Sequence, residues 1–404
     1  YLAGMGFNGL RLHIRWKNIE PTQGQFNQEY LQIMLDIMHE AERYGLAVSV
    51  DMHWPFPDWF VAGQPDMPTE SKLISQVKHN IYHWPDAIVD AWHRLAIAFK
   101  DSPNILAFEV PTNESNFASG PKGMKDYPNM VIQWNQWLKA QYKTRDALAK
   151  AWQGNHAQSA KYRLKPEENW DDNTIEPLGY QENEPVDVNH NYMNNPRLWD
   201  HLRFAAHIQK TLTTRIMTAI RQSIPNAVGM SQRTIGDMYD VSRVPISYYA
   251  INTLFGEHVN IGTHYGMGGK TALEAKSLTL ASYDSERQME HASKLVKRHV
   301  EMGLGFCPFA FHARGSGGML LSDDDWHMKS STAYLPGMSQ WIRSHWPKPD
   351  YRAAVAIISN TRLSAINAEK TGDLIAMLDA RGYQVKLFEG LKIVEQPYLL
   401  DDCK

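Results

Sequence analysis

Residues 105–116, ILAFEVPTNESN, join a short apolar run to a pair of polar side chains. An apolar run of this length, bounded by turn residues, predicts a buried strand of a parallel sheet. Asn113 and Glu114 follow at the carboxyl end of that strand. Enzymes built from alternating strands and helices place their chemistry at the carboxyl ends of the strands. The pair is therefore a candidate site if the flanking segments alternate in the same way.

The segments before this strand do alternate. Residues 7–16 predict a strand that places Arg11, His13 and Arg15 on one face, and inward-facing arginines need acidic partners. An amphipathic helix is predicted over 28–44, where Gly45 ends it. The next predicted elements are a strand at 46–52 and a helix at 84–99.

The segments after residue 116 predict an interrupted continuation of the same pattern. A long insertion with helices at 130–143, 145–153 and 197–223 comes first, followed by strands at 226–232, 259–266, 277–282 and 305–312. We therefore predict an α/β fold, a (β/α)8 TIM barrel over residues 1–345 with a long insertion after strand 4. Seven strands are visible, and we expect the first strand to be missing upstream.

A second βα pattern begins after the proline-containing segment 346–349. A strand at 353–360, a helix at 373–381 and a strand at 383–388 predict the start of a Rossmann-like C-terminal domain over 350–404. A segment of this length is too short for a complete doubly wound domain.

Composition narrows the class of protein. The formal net charge of -3 offers no general attraction to nucleic acid or to an anionic membrane. No apolar run is long enough to span a bilayer, so we predict a soluble protein of unspecified compartment. Cys307 and Cys403 provide neither a disulfide framework nor a zinc-binding set. Several of the 13 tryptophans lie in predicted loops, where exposed indole rings could stack on sugars.

The motifs together resemble the clan A retaining glycoside hydrolases, most closely the family forty-two β-galactosidases. Residues 6–12 (GFNGLRL), 16–21 (WKNIEP) and 24–26 (GQF) resemble the second strand of the clan and its loop, and 112–114 (TNE) resembles its acid/base motif. Residues 137–142 (WLKAQY) and 147–152 (ALAKAW) resemble the family's insertion, and the segment after Arg352 resembles its trimerisation domain. Lys143 and Ser115 depart from the family pattern.

The resemblance implies roles for individual residues. Glu114 is the implied acid/base, and Asn113 would bind a substrate hydroxyl beside it. Arg11 would keep the nucleophilic carboxylate ionised, or form a structural ion pair in the barrel. His264 and Tyr265 match the sixth-strand pair, although His264 is also compatible with a buried structural histidine. The remaining strand-end candidates for substrate contact are His53, Trp54 and His312.

The nucleophile is not evident in the sequence. The family places a glutamate at the end of the seventh strand, but residues 278–283 (LTLASY) contain none, and alternation puts Ala281 in that position. An engineered glutamate-to-alanine change, Glu286 reaching back, and a natural loss or relocation all remain open. Ser285 is a plausible N-cap, which gives Glu286 an ordinary role in a first helical turn. Arg11 otherwise has no obvious anionic partner in the sequence.

We therefore predict a retaining glycosidase that cleaves β-linked, galactose-type sugars, works without a cofactor or metal, and forms a trimer. Cations near strand ends (Arg11, Arg15, Arg233 and Arg314) would also suit a sulfated or uronic galactan, such as a marine polysaccharide. A catalytically silent sugar-binding barrel is a further alternative. A metal-dependent hydrolase would need a His/Asp cluster, whereas His53, His264 and His312 come from different strands without paired carboxylates.

Overall fold

Seven strands form one parallel sheet in chain order. The computed structural model describes residues 1–53, 55–62, 84–110, 128–153, 162–177, 196–233, 248–252, 272–275, 305–307, 335–345, 354–359, 374, 377–378 and 380–389. The strands are β1 (Gly9–Arg15), β2 (Ala47–His53), β3 (Ile105–Glu109), β4 (Gly229–Arg233), β5 (Tyr248–Asn252), β6 (Ala272–Ala275) and β7 (Gly305–Cys307). Each strand pairs in parallel with the next one in the chain, which is the arrangement of a (β/α)8 barrel.

Eight helices lie among these strands in the described part of the chain. They are α1 (Trp16–Ile19), α2 (Gln28–Arg43), α3 (Asp58–Ala62), α4 (Pro85–Phe99), α5 (Pro128–Tyr142), α6 (Arg145–Ala151), α7 (Pro196–Ser223) and α8 (Leu335–His345). None of these helices is long and apolar enough to cross a membrane.

Helix α2 shows why the predicted helices form where they do. The side chain of Asn27 caps the helix by accepting a hydrogen bond from the backbone N–H of Tyr30 at 3.0 Å. Gly45 follows the helix with φ of 69°, a conformation that other residues adopt only at a cost. Leu31, Met34 and Met38 are buried at helical spacing. The predicted bounds of 28–44 are confirmed to within one residue.

The strands separate an apolar face from a polar one. Val48, Val50 and Met52 of β2 are completely buried and alternate with Ser49 and Asp51 on the opposite face. On β3, the ring of Phe108 contacts Trp92 of α4 with centroids 6.0 Å apart. The apolar faces therefore pack against the helices, which leaves the alternate polar side chains to line the inside of the sheet.

The described rings of the aromatic loop after β2 (Phe56, Trp59 and Phe60) pack inward, whereas exposed indole rings were expected in such loops. Phe56 and Phe60 are buried, and both rings contact the buried ring of Trp16. Trp59 is half-buried and donates its indole N–H to the carbonyl oxygen of Glu20 at 2.8 Å. Burial of these large rings stabilises the fold more than exposure would, so they close the core beneath the strand ends. Trp54 lies outside the described residues.

Two strands lie in stretches where none was predicted. The strands expected at 259–266 and 277–282 fall outside the described residues, whereas β5 and β6 occupy 248–252 and 272–275. In strand order, β6 therefore takes the place that the sequence analysis gave to 277–282. A strand of four residues such as ALEA carries little periodicity, so its pairing with β5 and β7 decides its conformation.

Helix α8 brings the end of the barrel segment to its beginning. Arg343 donates a hydrogen bond to the carbonyl oxygen of Gly6. Gly6 has φ of 87°, and a Cβ atom added there would lie 2.9 Å from the Cβ of Ser339. Only glycine suits both the backbone conformation and the close approach of α8. The last described helix of the ring thus contacts the start of the chain.

The insertion is held together by buried polar contacts. Asp200 of α7 accepts hydrogen bonds from the hydroxyl of Tyr142 at 2.5 Å and from the indole of Trp152 at 2.8 Å. Arg197 pairs with Glu168 at 2.7 Å, and its guanidinium lies over the ring of Trp152. These contacts tie α5 and α6 to α7, which also packs along α4.

The segment after the barrel contains a second, two-stranded sheet. Strands β8 (Ala354–Ser359) and β9 (Gln384–Glu389) are parallel. A parallel pair needs a crossover connection, and residues 374, 377–378 and 380 between the strands are helical.

Candidate active site

Strands β1, β2 and β3 place their polar side chains in two adjacent layers. The strand register aligns His13 with Asp51 and Asp51 with Glu109. One layer earlier, Arg11 aligns with Ser49. Because parallel strands bring their carboxyl ends to one edge, these side chains meet near the mouth of the barrel.

Arg11 is the centre of this group. Its Nε lies 2.6 Å from both carboxylate oxygens of Glu109, and its Nη2 lies 2.6 Å from Oε2. Nη2 also lies 3.1 Å from Oδ2 of Asp51. The three side chains are only 7%, 1% and 0% exposed for Arg11, Glu109 and Asp51. Charge-assisted hydrogen bonds of this kind stabilise the buried charges of Arg11, Glu109 and Asp51.

This pairing corrects one expectation about Arg11. The sequence suggested no anionic partner for it apart from the nucleophile, whereas Glu109 and Asp51 both pair with it. The observed contacts of Arg11 are therefore those of an ion pair inside the barrel, the second of the two roles considered for it. Ser49 completes the arrangement by donating its hydroxyl to Glu109 at 2.8 Å.

The hydrogen bonds determine the tautomer of His13. Nε2 lies 3.1 Å from Nη1 of Arg11, and Nδ1 lies 2.6 Å from Oδ2 of Asp51. A guanidinium can only donate, so Nε2 accepts and the ring proton is on Nδ1, which donates to Asp51. The ring of His53 meets that of His13 edge to face, with centroids 4.7 Å apart.

Asp51 stays ionised despite its position. Burial alone would raise the pKa of its carboxyl, but the charge of Arg11 and the hydrogen bond from His13 outweigh burial and hold the pKa well below its ordinary value. A lowered pKa in the folded state means that this carboxylate contributes stability above the ordinary pKa of aspartate. That contribution is lost as the pH falls through the lowered value.

The structure describes only two of the predicted site residues. Arg11 lies in the buried cluster, and His53 ends β2 beside His13. The others lie outside the described residues: Trp54, Asn113, Glu114, His264, Tyr265, Ala281, Glu286 and His312. Glu114 follows β3, whose last residue is Glu109.

Three polar members of the cluster were missed as site residues by the sequence analysis. Ser49, Asp51 and Glu109 were overlooked because each lies within an apolar strand rather than after its end. The signal that could have found them is alternation, since each lies on the polar face of its strand, as Arg11 and His13 do. A buried arginine on β1 requires carboxylates on the neighbouring strands, and Asp51 and Glu109 are the ones available.

The same cluster contains a set of possible metal ligands. His13, Asp51 and His53 each offer one ligand atom, and these atoms lie within 4.8 Å of one another. This set was not predicted, because His53 was grouped with histidines on other strands and not with His13 and Asp51.

Replacing Arg11 tests whether the cluster stabilises the fold. Arg11→Met should lower the free energy of unfolding by about 3–5 kcal/mol, because it leaves two carboxylates buried without their cation. The change is measured by urea unfolding at neutral pH, followed by tryptophan fluorescence.

Arg43→Met is the matched control for this experiment. Its side chain is 74% exposed and pairs with Glu40 one helical turn away, so its loss should change the unfolding free energy by no more than about 0.5 kcal/mol. Equal effects of the two substitutions would show that the buried cluster does not depend on Arg11.

Comparisons with known proteins place the chain among carbohydrate-active enzymes. The family model described as cellulase (glycosyl hydrolase family 5) matches residues 1–207. An endoglycoceramidase of Cyanea nozakii is 27% identical, over 27% of this chain and 31% of the relative. The β-galactosidase BgaB of Geobacillus sp. (strain Y412MC61) is 30% identical, over 35% of this chain and 21% of the relative. The chain thus covers well under half the length of these curated relatives.

Solved structures share the fold of this chain. A β-galactosidase from Rahnella sp. R3 superposes with a TM-score of 0.65 at 14% identity, covering 96% of this chain and 61% of that one. A family 5 hydrolase from Streptomyces cattleya, in complex with Manβ1-4GlcNAc, gives 0.55 at 11% identity, covering 98% and 88%. At such identities the similarity extends to the fold alone, and it supports the predicted (β/α)8 barrel.

Proposed function

We infer, because the chain belongs to the cellulase family (glycosyl hydrolase family 5), that it is a retaining glycosidase acting on β-linked, galactose-type sugars. Family 5 membership agrees with the resemblance to clan A that the sequence motifs suggested. The observation that carries the proposal is the buried Arg11–Glu109–Asp51–His13 cluster. It joins three neighbouring strands of the sheet, within the matched range.

The proposed mechanism needs an acid and a nucleophile about 5–5.5 Å apart. Glu114 is the proposed acid/base, which protonates the leaving oxygen and then activates water, while Asn113 binds a hydroxyl beside the reacting carbon. The cluster contributes a fixed arrangement of charges next to the strand that leads to Glu114. Dipoles and charges that are oriented before substrate binds stabilise a developing charge without reorganisation during the reaction.

We place the nucleophile position at the end of the seventh barrel strand. Ala281 remains our assignment for a vacated nucleophile position, with Glu286 and relocation as the alternatives. Strand β6 offers a specific residue for a relocated nucleophile. It is the seventh barrel strand if one strand precedes β1, and it contains Glu274, which pairs with Ile251 on β5 and with Phe306 on β7. The assignments to position 281, to Glu286 and to Glu274 make different predictions for single substitutions.

The galactose-type substrate is supported by the β-galactosidases among the sequence relatives. A second candidate is a β-glycoside with a lipid aglycone, which the endoglycoceramidase relatives favour. A sulfated or uronic galactan is a third, but the charge of Arg11 is engaged by Glu109 and Asp51, and Arg15 is exposed at the end of β1. These two arginines give that candidate no support.

A product analysis distinguishes the candidates. The Ala281→Glu variant is incubated with neutral β-galactans, sulfated galactans, lactosylceramide and a β-glucan, and released sugars are identified by mass spectrometry. We expect release of galactose-type products from the neutral galactans. Release of an intact disaccharide from lactosylceramide alone would favour the lipid glycoside. Binding without any release would favour a silent sugar-binding barrel.

We also propose a homotrimer, since the segment after Arg352 resembles a trimerisation domain. The observed parallel pair of β8 and β9 is compatible with such a domain. Light scattering at micromolar concentration should give about three times the mass of one chain. A monomer under those conditions would contradict the proposal.

A further inference from the structure

The carboxyl ends of β1 and β2 bring two imidazoles and one carboxylate together. Paired register places His13 opposite Asp51, and alternation places His53 on the same face of β2 as Asp51. We propose that His13, Asp51 and His53 form a binding site for a divalent transition-metal ion of the zinc class. This inference concerns metal binding and does not depend on the glycosidase activity proposed above.

The distances suit such an ion after small side-chain rotations. The ligand atoms lie within 4.8 Å of one another, and Nδ1 of His13 is 2.6 Å from Oδ2 of Asp51. Zinc binds nitrogen and oxygen at about 2.0–2.2 Å, which puts tetrahedral ligands roughly 3.3 Å apart. The closer pair must therefore separate slightly and His53 must approach.

The charge of the cluster favours a cation. Arg11 contributes one positive charge and is neutralised by Glu109, which leaves the negative charge of Asp51 beside two imidazoles. In the described part of the chain, Oδ1 of Asp51 is buried and has no hydrogen-bond partner. An unsatisfied carboxylate oxygen in a buried position is costly, and a metal ion next to this carboxylate would compensate for it.

The ligand set indicates the class of metal. Imidazole nitrogens select zinc, copper and nickel over magnesium and calcium, which prefer oxygen. Three protein ligands leave one tetrahedral position for water or for a hydroxyl group. The side chain of His13 is 31% exposed, which gives an ion access from solvent.

Metal binding changes both hydrogen bonds of the His13 ring. An ion at Nδ1 of His13 takes the place of the proton there, and that proton moves to Nε2. Nε2 then no longer accepts from Arg11, which keeps its contacts with Glu109 and Asp51. The cost is two hydrogen bonds, from His13 Nδ1 to Asp51 and from Arg11 Nη1 to His13 Nε2, whereas the ion pairs of Arg11 with Glu109 and Asp51 are retained.

Calorimetric titration of the chelator-treated, full chain with zinc chloride tests the site. One equivalent of zinc should bind. His13→Ala and His53→Ala should each weaken zinc binding by about 10- to 100-fold. His39→Ala removes an exposed imidazole from α2 and should leave the affinity unchanged. Unaltered affinity in the His13 and His53 variants, or no binding by the unmodified chain, would overturn the proposal.

X-ray absorption at the zinc edge of the unmodified chain provides a readout that does not depend on how the variants fold. We expect only nitrogen and oxygen ligands at about 2.0–2.2 Å, with the scattering pattern of two imidazoles. Sulfur at about 2.3 Å would instead place the ion on Cys307 or Cys403 and overturn the assignment.

Discussion

Ala281→Glu is expected to raise the turnover of β-galactosides by at least about 10³-fold, without a large change in oligosaccharide affinity. A missing nucleophile prevents the covalent step but leaves most binding contacts in place, so restoring a carboxylate restores the step. Hydrolysis of an aryl β-galactoside and binding of an unreactive oligosaccharide are measured on both forms. Azide added to the unmodified chain should fill the small void and give a glycosyl azide of inverted configuration.

Position-matched variants make this result specific. Thr279→Glu places a carboxylate on the same predicted face but one pleat deeper, and it should not restore turnover. Glu274→Ala and Glu286→Ala test the two alternative carboxylates in the unmodified chain. If that chain is fully active and one of these substitutions abolishes its activity, the corresponding glutamate is the nucleophile and Ala281 is not a vacated site.

Glu114→Gln, introduced into the Ala281→Glu form, should reduce hydrolysis of natural glycosides by about 10²–10⁴-fold. Substrates with a strongly acidic leaving group, such as dinitrophenyl glycosides, should lose far less in the first step, because their leaving oxygen needs no proton. The rate of glycosylation is measured on both substrate types by pre-steady-state release of the aglycone.

Two observations separate loss of the acid from loss of the fold. The Glu114→Gln form should keep the unfolding midpoint of its parent, and azide should rescue it to a glycosyl azide of retained configuration. An equal loss on natural and activated substrates, with an unchanged midpoint, would remove Glu114 from the acid role.

Local patterns account for the parts of the fold that were predicted correctly. The bounds of α2 follow from apolar periodicity together with Asn27 at one end and Gly45 at the other. Those of α4 follow from apolar periodicity, with Pro85 in its first turn. The strand at residue 105 was predictable from its apolar run and its turn-forming flanks. The motif at 112–114 is equally local, and its resemblance to the acid/base motif of the clan makes Glu114 the proposed acid/base.

The ion pairs of the candidate site could not be assigned in this way. Arg11 and Glu109 lie 98 positions apart, and their contact depends on how two strands align with the strand between them. A sequence shows that a buried arginine needs an anion, but several anions satisfy that need equally well. The register of β1, β2 and β3 selects Glu109 and Asp51.

The sequence by itself determined the strands β1 to β3, the ends of α2 and the motif that contains Glu114, because each depends on neighbours along the chain. The positions of β5 and β6 were not predicted, because they depend on pairing with other strands. Only the tertiary structure decided that Arg11 pairs with Glu109 and Asp51, that His13 meets His53, and that the loop rings of Phe56 and Trp59 pack inward. The physical reason is that burial, charge pairing and proton position depend on distances between segments, which are set when the strands align and the helices pack over them.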